Sequence, residues 1–314
     1  MHTASVTVVV LASACVGVLA SAPLTLSAPS SSSTQVNRTL HVTVTTDKGA
    51  AVPVVTPADF EVKEDGRVRE VVEVARPTRP LSIALLLDDK GSDINEIRAA
   101  LAAFVARVQG KAEVSLVSVL PTPATVFDYT SSTSNMMAGI QRLVWRAGPA
   151  GGLILGAIAD AADDLKRREA YRPAIVVITF EGDEFRSHRP AQAVLASLER
   201  SRAALHVVAV GTPTMKKMSR ALVESGGVQG DDWVVDQGNR NAVLGEGPKL
   251  SGGRRHELTV ATGLPKALES VADDLLNQYT LVYAGSTDAK ASRKLSVSAK
   301  KRGIVVRAPT KIAG

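Results

Sequence analysis

Apolar and polar positions change their period several times along the chain, and each change marks a boundary. Val6–Ala20 is almost continuously apolar, and residues 1–37 contain no Lys, Arg, Asp or Glu. Ala20-Ser21-Ala22 has the small-x-small form of a signal peptidase site. Residues 1–22 therefore read as a signal peptide, and residues 23–37 as a Ser/Pro-rich linker. From Thr39 onward Leu40, Val42 and Val44 alternate with His41, Thr43 and Thr45, the period-two pattern of a half-buried strand. Asp65-Gly66, between Phe60–Val62 and Val68–Val74, predicts a tight hairpin. Together these make a small β unit over residues 38–76, too short to bury a core alone.

The period then lengthens. Leu81–Leu87 is an unbroken apolar run, as in a strand covered on both faces. Ile94, Ile97, Leu101, Phe104, Val105 and Val108 fall on one face of a helix. Further strands are expected at Val114–Leu120, Ala174–Thr179 and Leu205–Val210, with helices at Met136–Val144, Ile154–Leu165, Pro190–Arg202 and Leu264–Leu275. Gly226–Gly253 is polar and glycine-rich and reads as a long loop. Tyr279–Tyr283, Lys294–Ala299 and Ile304–Val306 close the chain as short strands. Strands alternating with helices predict an α/β fold with a doubly wound, mostly parallel sheet. Sites in such sheets lie beyond the carboxyl ends of the strands, here Asp88–Ser92, Glu181–Glu184 and Gly211–Pro213.

Composition narrows the classes. Of 314 residues, 45% are hydrophobic and 22% charged, which excludes a mainly disordered, collagen-like or multi-span membrane chain. Cys15 is the sole cysteine and lies in the first apolar run, so a processed chain has no disulfide, thiolate zinc site or cysteine nucleophile. The alternative use of Cys15 is a lipid anchor. Enzyme motifs break off: Gly245-Glu246-Gly247 lacks the third glycine of a dinucleotide fingerprint, and His256-Glu257 lacks the second histidine of a zinc-protease helix. Asp160, Asp163 and Asp164 beside Lys166, Arg167 and Arg168 read as a solvated helix face. The net charge of +6 is concentrated in residues 286–314, which hold eight Lys or Arg and one acid, Asp288. That segment has no aromatic residue to stack bases, so nucleic acid is not expected; it reads first as a solvated strand face and next as a segment attracted to an anionic envelope surface.

Asp88-Asp89-Lys90-Gly91-Ser92 follows the first buried strand. It resembles the Asp-x-Ser-x-Ser metal-ion-dependent adhesion site of von Willebrand factor A domains. Val55-Thr56-Pro57-Ala58-Asp59-Phe60-Glu61-Val62-Lys63-Glu64-Asp65-Gly66 and Leu275-Leu276-Asn277-Gln278-Tyr279-Thr280-Leu281-Val282-Tyr283 are similar to the opening and closing segments of the bacterial VWFA-related family common in acidobacteria. The resemblance covers about Thr39 to Pro309. It implies a Rossmann-like A domain, here over residues 81–285, behind the small β unit and followed by basic C-terminal strands over 286–314, in an exported, periplasmic or secreted protein.

The family's motif rings a Mg²⁺ with oxygens from an Asp, two Ser, a Thr and a later Asp. Here Asp88 and Ser92 match, Lys90 replaces the first Ser, Leu153 after Gly152 stands at the loop Thr, and Glu181 and Asp183 fall near the late Asp. Three readings follow. Lys90 can supply the positive charge itself, which makes the site metal-free. Alternatively Lys90 turns outward, and Asp88, Ser92, Glu181 and Asp183 hold a weak Mg²⁺ or Ca²⁺. In the third reading Asp88 and Ser92 only cap the next helix. The functional expectation is a non-enzymatic interaction module that binds an extracytoplasmic protein at the Asp88, Lys90, Ser92, Gly152, Leu153, Glu181, Asp183 rim. The alternatives are an envelope component held by the basic segment, and a hydrolase using Asp88, Glu181 and Asp183.

Overall fold

The structure is a computed structural model and describes residues 35–88, 94–144, 153–180, 189–211, 231–288, 290 and 292–313, with 231–234 described by backbone alone. The signal-peptide segment, Cys15, and the rim residues Lys90, Ser92, Gly152, Glu181 and Asp183 lie outside the described residues.

The amino-terminal strands are β1 (Gln35–Thr46), β2 (Phe60–Glu64), β3 (Arg67–Arg69) and β4 (Val71–Ala75). β1 begins at Gln35, inside the stretch read as linker. The hairpin of β2 and β3 turns at Asp65 and Gly66, with φ of 51° and 80°. Positive φ at both central residues is the two-residue turn whose twist matches paired strands, and an Asp-Gly pair tolerates it. The segment Val68–Val74, expected as one returning strand, splits between β3 and β4, which belong to different sheets.

A six-stranded sheet follows, built from β5 (Leu81–Asp88), β6 (Ala112–Ser118), β7 (Ala124–Thr130), β8 (Pro173–Phe180), β9 (Ala204–Val210) and β10 (Arg255–Leu258). Its order is β10-β9-β8-β5-β6-β7, parallel except for β7 at one edge. Leu81, Ile83, Leu85 and Leu87 face a cluster with α1 (Ile94–Val108), α2 (Thr133–Arg142) and α7 (Leu264–Leu276). Ala84 and Leu86 face α3 (Leu153–Arg167) and α4 (Ala191–Ser201) on the other side. Apolar side chains on both faces explain the unbroken apolar runs. The architecture is the Rossmann-like, doubly wound α/β sheet that the resemblance implies.

The expected loop at Gly226–Gly253 is corrected. Within it stand α5 (Asp231–Arg240), a π-helical turn (Asn241–Glu246) and α6 (Gly247–Ser251). Val243 and Leu244 of that turn are buried in the α3–α4 cluster, so tertiary packing overrides the weak local propensity of the glycines.

The last strands are β11 (Gln278–Ser286), β12 (Ser292–Ala299), β13 (Ile304–Arg307) and β14 (Lys311–Ala313). They pair with the first ones, in sheets ordered β13-β1-β11-β4 and β14-β12-β2-β3. Leu40, Val42, Phe60, Val62, Tyr279, Leu281, Tyr283 and Leu295 share one apolar cluster. The β unit thus draws its core from both ends of the chain. β11, which ends the 81–285 segment in sequence, pairs with β1 and β4 and not with the six-stranded sheet. Buried Arg172 joins the two parts, donating to the carbonyls of Arg79 and Leu275 and to Gln278 Oε1.

Candidate functional site at the carboxyl end of the sheet

The chain enters the six-stranded sheet at β5, adds β6 and β7 on one side, then crosses to β8 on the other. The carboxyl ends of β5 and β8 therefore flank the point where the winding reverses, the place where open α/β sheets form a crevice. Asp88 ends β5 and Thr179 lies opposite it on β8. Both continue the series of side chains that face α3 and α4.

Asp88 is 3% exposed and Thr179 is fully buried. The Thr179 hydroxyl donates to Asp88 Oδ2 at 2.7 Å, and Arg240 Nη2, from the end of α5, donates to Thr179 Oγ1 at 3.0 Å. The hydroxyl thus uses its one donor and one of its two acceptor lone pairs, and a half-buried guanidinium is linked through it to a buried carboxylate. Burial weakens solvent screening, which strengthens the pull of the guanidinium on this chain of dipoles.

Of the expected rim residues, the structure places Asp88 and Leu153. Leu153 opens α3 and packs its side chain against the α3–α4 cluster, so the position where the motif has a threonine oxygen is apolar. Thr179 and Arg240 were not expected. A threonine closing an otherwise apolar strand beside Asp88 is a usable signal. Arg240 had none, because its helix reads as loop.

A divalent cation of the Mg²⁺ or Ca²⁺ type needs about six oxygen ligands. The described rim residues offer one carboxylate and one hydroxyl, both engaged, with a guanidinium beside them. They do not fit such an ion by themselves. Among the described residues no group of three His, Cys, Asp or Glu is placed to hold a metal.

The other sequence candidates resolve simply. Asp160, Asp163 and Asp164 pair at the surface with Arg189 at 3.0 Å, Arg200 at 3.4 Å and Arg167 at 2.9 Å. His256 and Glu257 lie on β10, with Arg255 Nε 3.2 Å from the Glu257 carboxylate. A cavity of about 800 Å³ lies at the opposite end of the sheet from Asp88, bounded by Pro173, Ala204, Leu165, Leu198, Leu40 and Ile312. His41 at its wall stays neutral down to about pH 4, because burial and then the nearby Arg172 disfavour its charged form.

No protein-family model and no curated protein matches the chain. Solved structures do. A von Willebrand factor type A protein from Catenulispora acidiphila is 9% identical, covering 87% of this chain and 73% of its own, with a TM-score of 0.45. BatB, a conserved hypothetical protein from Bacteroides thetaiotaomicron, is 16% identical, covering 62% of this chain and 98% of its own, with a TM-score of 0.41. Proximal thread matrix protein 1 from the mussel byssus is 12% identical over 72% of this chain, with a TM-score of 0.41, and the chain spans about half of that protein, 48%. Another structure of the mussel protein is described as having a zinc-occupied metal-ion-dependent adhesion motif.

Proposed function

We propose that the chain is an exported, non-enzymatic interaction module whose protein partner docks at the carboxyl-terminal rim of the six-stranded sheet. The supporting observation is the Arg240–Thr179–Asp88 chain at the winding reversal. It ties the end of α5 through Thr179 to the buried Asp88, so the strand ends at the rim form a preformed surface for a partner. Lys90, expected to supply positive charge there, is the group proposed to pair with an acidic side chain of that partner. Asp88 is buried and already accepts a hydrogen bond, which suits it to hold Arg240 in place better than to act as a base on a substrate. The apolar run Val6–Ala20 supports export, and among the described residues no helix is long and apolar enough to cross a membrane.

The test uses the immobilised full chain in three forms: wild type, Thr179→Val and Arg240→Gln. Each is challenged with envelope extract of the source cells, in EDTA and in Mg²⁺. The expected result is a protein retained by wild type and lost by about tenfold or more in both variants, a loss matching one charge-assisted hydrogen bond. Equal retention by all three forms overturns the rim as the docking site. Retention by wild type only in Mg²⁺ would make a bound cation the bridging charge and overturn the metal-free form of the reading.

A further inference from the structure

We propose that the outward face of the sheet β14-β12-β2-β3 docks on a membrane surface bearing anionic lipid, with Lys294 and Lys311 at its centre. The eight basic residues of 286–314 divide into two groups. Arg293 is turned inward and lies 3.6 Å from Glu64. Arg307 pairs with Asp274. Lys290 pairs with Asp65 and Lys301 with Asp59, each at 2.8 Å. Half of the basic segment is therefore neutralised within the fold. The other half, Lys294, Lys300, Arg302 and Lys311, is exposed and makes no ion pair among the described residues, with Lys300 only near enough to Glu61 to help Lys63 hold that carboxyl low.

The register concentrates that remainder. Along β12 the exposed positions are Ser292, Lys294, Ser296 and Ser298, with Lys300 just beyond the strand, while Arg293 and Leu295 point into the core. Lys294 lies directly opposite Lys311 of β14, and Ser296 opposite Lys63 of β2. Like charges directly opposite one another destabilise an antiparallel pair. The sole acid among the outward residues of these four strands is Glu61, already paired with Lys63 at 2.7 Å. The fold thus carries an unrelieved lysine pair that a bound anion would relieve.

The layout favours a surface over a point ligand. From Lys294 to Lys300 the charges are spread over about 20 Å of flat strand, with serine hydroxyls between them as donors to phosphate oxygens. The face has no aromatic ring to stack a base, and its one strongly exposed apolar residue is Val68, so contact is electrostatic, at headgroup depth.

The experiment is sedimentation of the full chain with vesicles of mixed phosphatidylglycerol and phosphatidylcholine, against phosphatidylcholine alone. The apolar amino-terminal segment can partition into either, so the quantity read is the increment due to phosphatidylglycerol. The double variant Lys294→Ser/Lys311→Ser is expected to lower that increment about 30-fold, the combined effect of two lysines near an anionic surface. Its melting temperature should hold or rise, because like-charge repulsion is removed. The double variant Lys111→Ser/Lys266→Ser, two exposed lysines elsewhere, changes net charge equally and should lower it only slightly. Three results would overturn the proposal: no phosphatidylglycerol increment in the wild type, equal losses in the two double variants, or double-stranded DNA competing as well as the vesicles do.

Discussion

Glu64 shows how much one buried charge can organise. Its carboxylate has no solvent exposure and lies 3.5 Å from Arg38 Nε, 3.2 Å from Arg69 Nε and 3.6 Å from Arg293 Nε. It also accepts from the Tyr283 hydroxyl at 3.3 Å and the Ser286 N–H at 2.8 Å. Those partners come from both four-stranded sheets, so the residue ties β2 to β1, β11 and β12 at once. Arg293, 1% exposed, gains a further acceptor in the Asp288 carbonyl. Glu64→Gln keeps the shape and removes the charge, leaving three guanidiniums around a neutral amide. Breaking a buried pair by deleting one partner costs about 3–5 kcal/mol, and that is the expected loss in urea unfolding. The double variant Glu64→Gln/Arg293→Met should recover part of it, since the worst-buried cation goes too. A loss below about 1 kcal/mol for the single variant, the range of an exposed pair, would show that solvent already screens the cluster.

Elements were legible where a pattern was unambiguous over its whole length. The strands β5, β8 and β9 are apolar but for one or two positions each, and α1, α3 and α7 carry one clear apolar face, so their types and near bounds follow from the sequence. The Asp65-Gly66 turn was equally plain. The pairing of β1 with β11 was not, because it joins residues such as Leu40 and Leu281 that no local signal connects. β7 alternates poorly and is broken by register shifts against β6, so its period is blurred. The helical segment from Asp231 to Ser251 hid behind its glycines, and Arg240 was hidden with it. Gly253, next to α6, shows why a glycine stands there. A Cβ on Gly253 would come 1.9 Å from the Leu205 carbonyl oxygen, so the residue permits close approach of backbone to β9 and does not mark a loose loop. Gly253→Ala should therefore cost about 1–3 kcal/mol through overpacking and backbone shift, measured by urea unfolding. A neutral result would return this stretch to the status of an adaptable loop.

At the scale of the whole molecule, three histidines on separate elements make stability depend on pH in one direction. His206 on β9 is fully buried with no hydrogen-bond partner on either ring nitrogen among the described residues, and titrates at about 3 because of burial first and then the charges of Arg307, His256 and Arg254. His256 on β10 is held to about 4 by burial, then by Arg254 and Arg307. His41 on β1 is also held to about 4, by burial, then by Arg172. All three bind a proton less readily folded than in the unfolded chain, where histidine titrates near 6.5. Their neutral forms stabilise the fold fully above about pH 6.5, and that contribution is lost as pH falls from 6.5 towards 4, because the unfolded chain takes up protons first. Asp59, held to about 2 by Lys301 and by the Thr56 N–H and hydroxyl, extends the loss below its ordinary value near 3.8. Asp274 works in the opposite sense, its carboxyl raised chiefly by burial despite Arg307 and Arg254, so its share is lost as pH rises through the raised value. Three histidines outweigh one carboxyl in the window between pH 6.5 and 4, where the net change is on the order of a few kcal/mol. The melting temperature should hold above pH 7 and fall steadily from pH 6.5 to 4. His206→Leu, which fills the same apolar slot without a titrating ring, should make that fall shallower. A wild-type melting temperature unchanged between pH 7 and 4 would mean that the histidines find water or a partner, and that the seam between β9, β10 and the carboxyl-terminal strands is more open than its packing indicates.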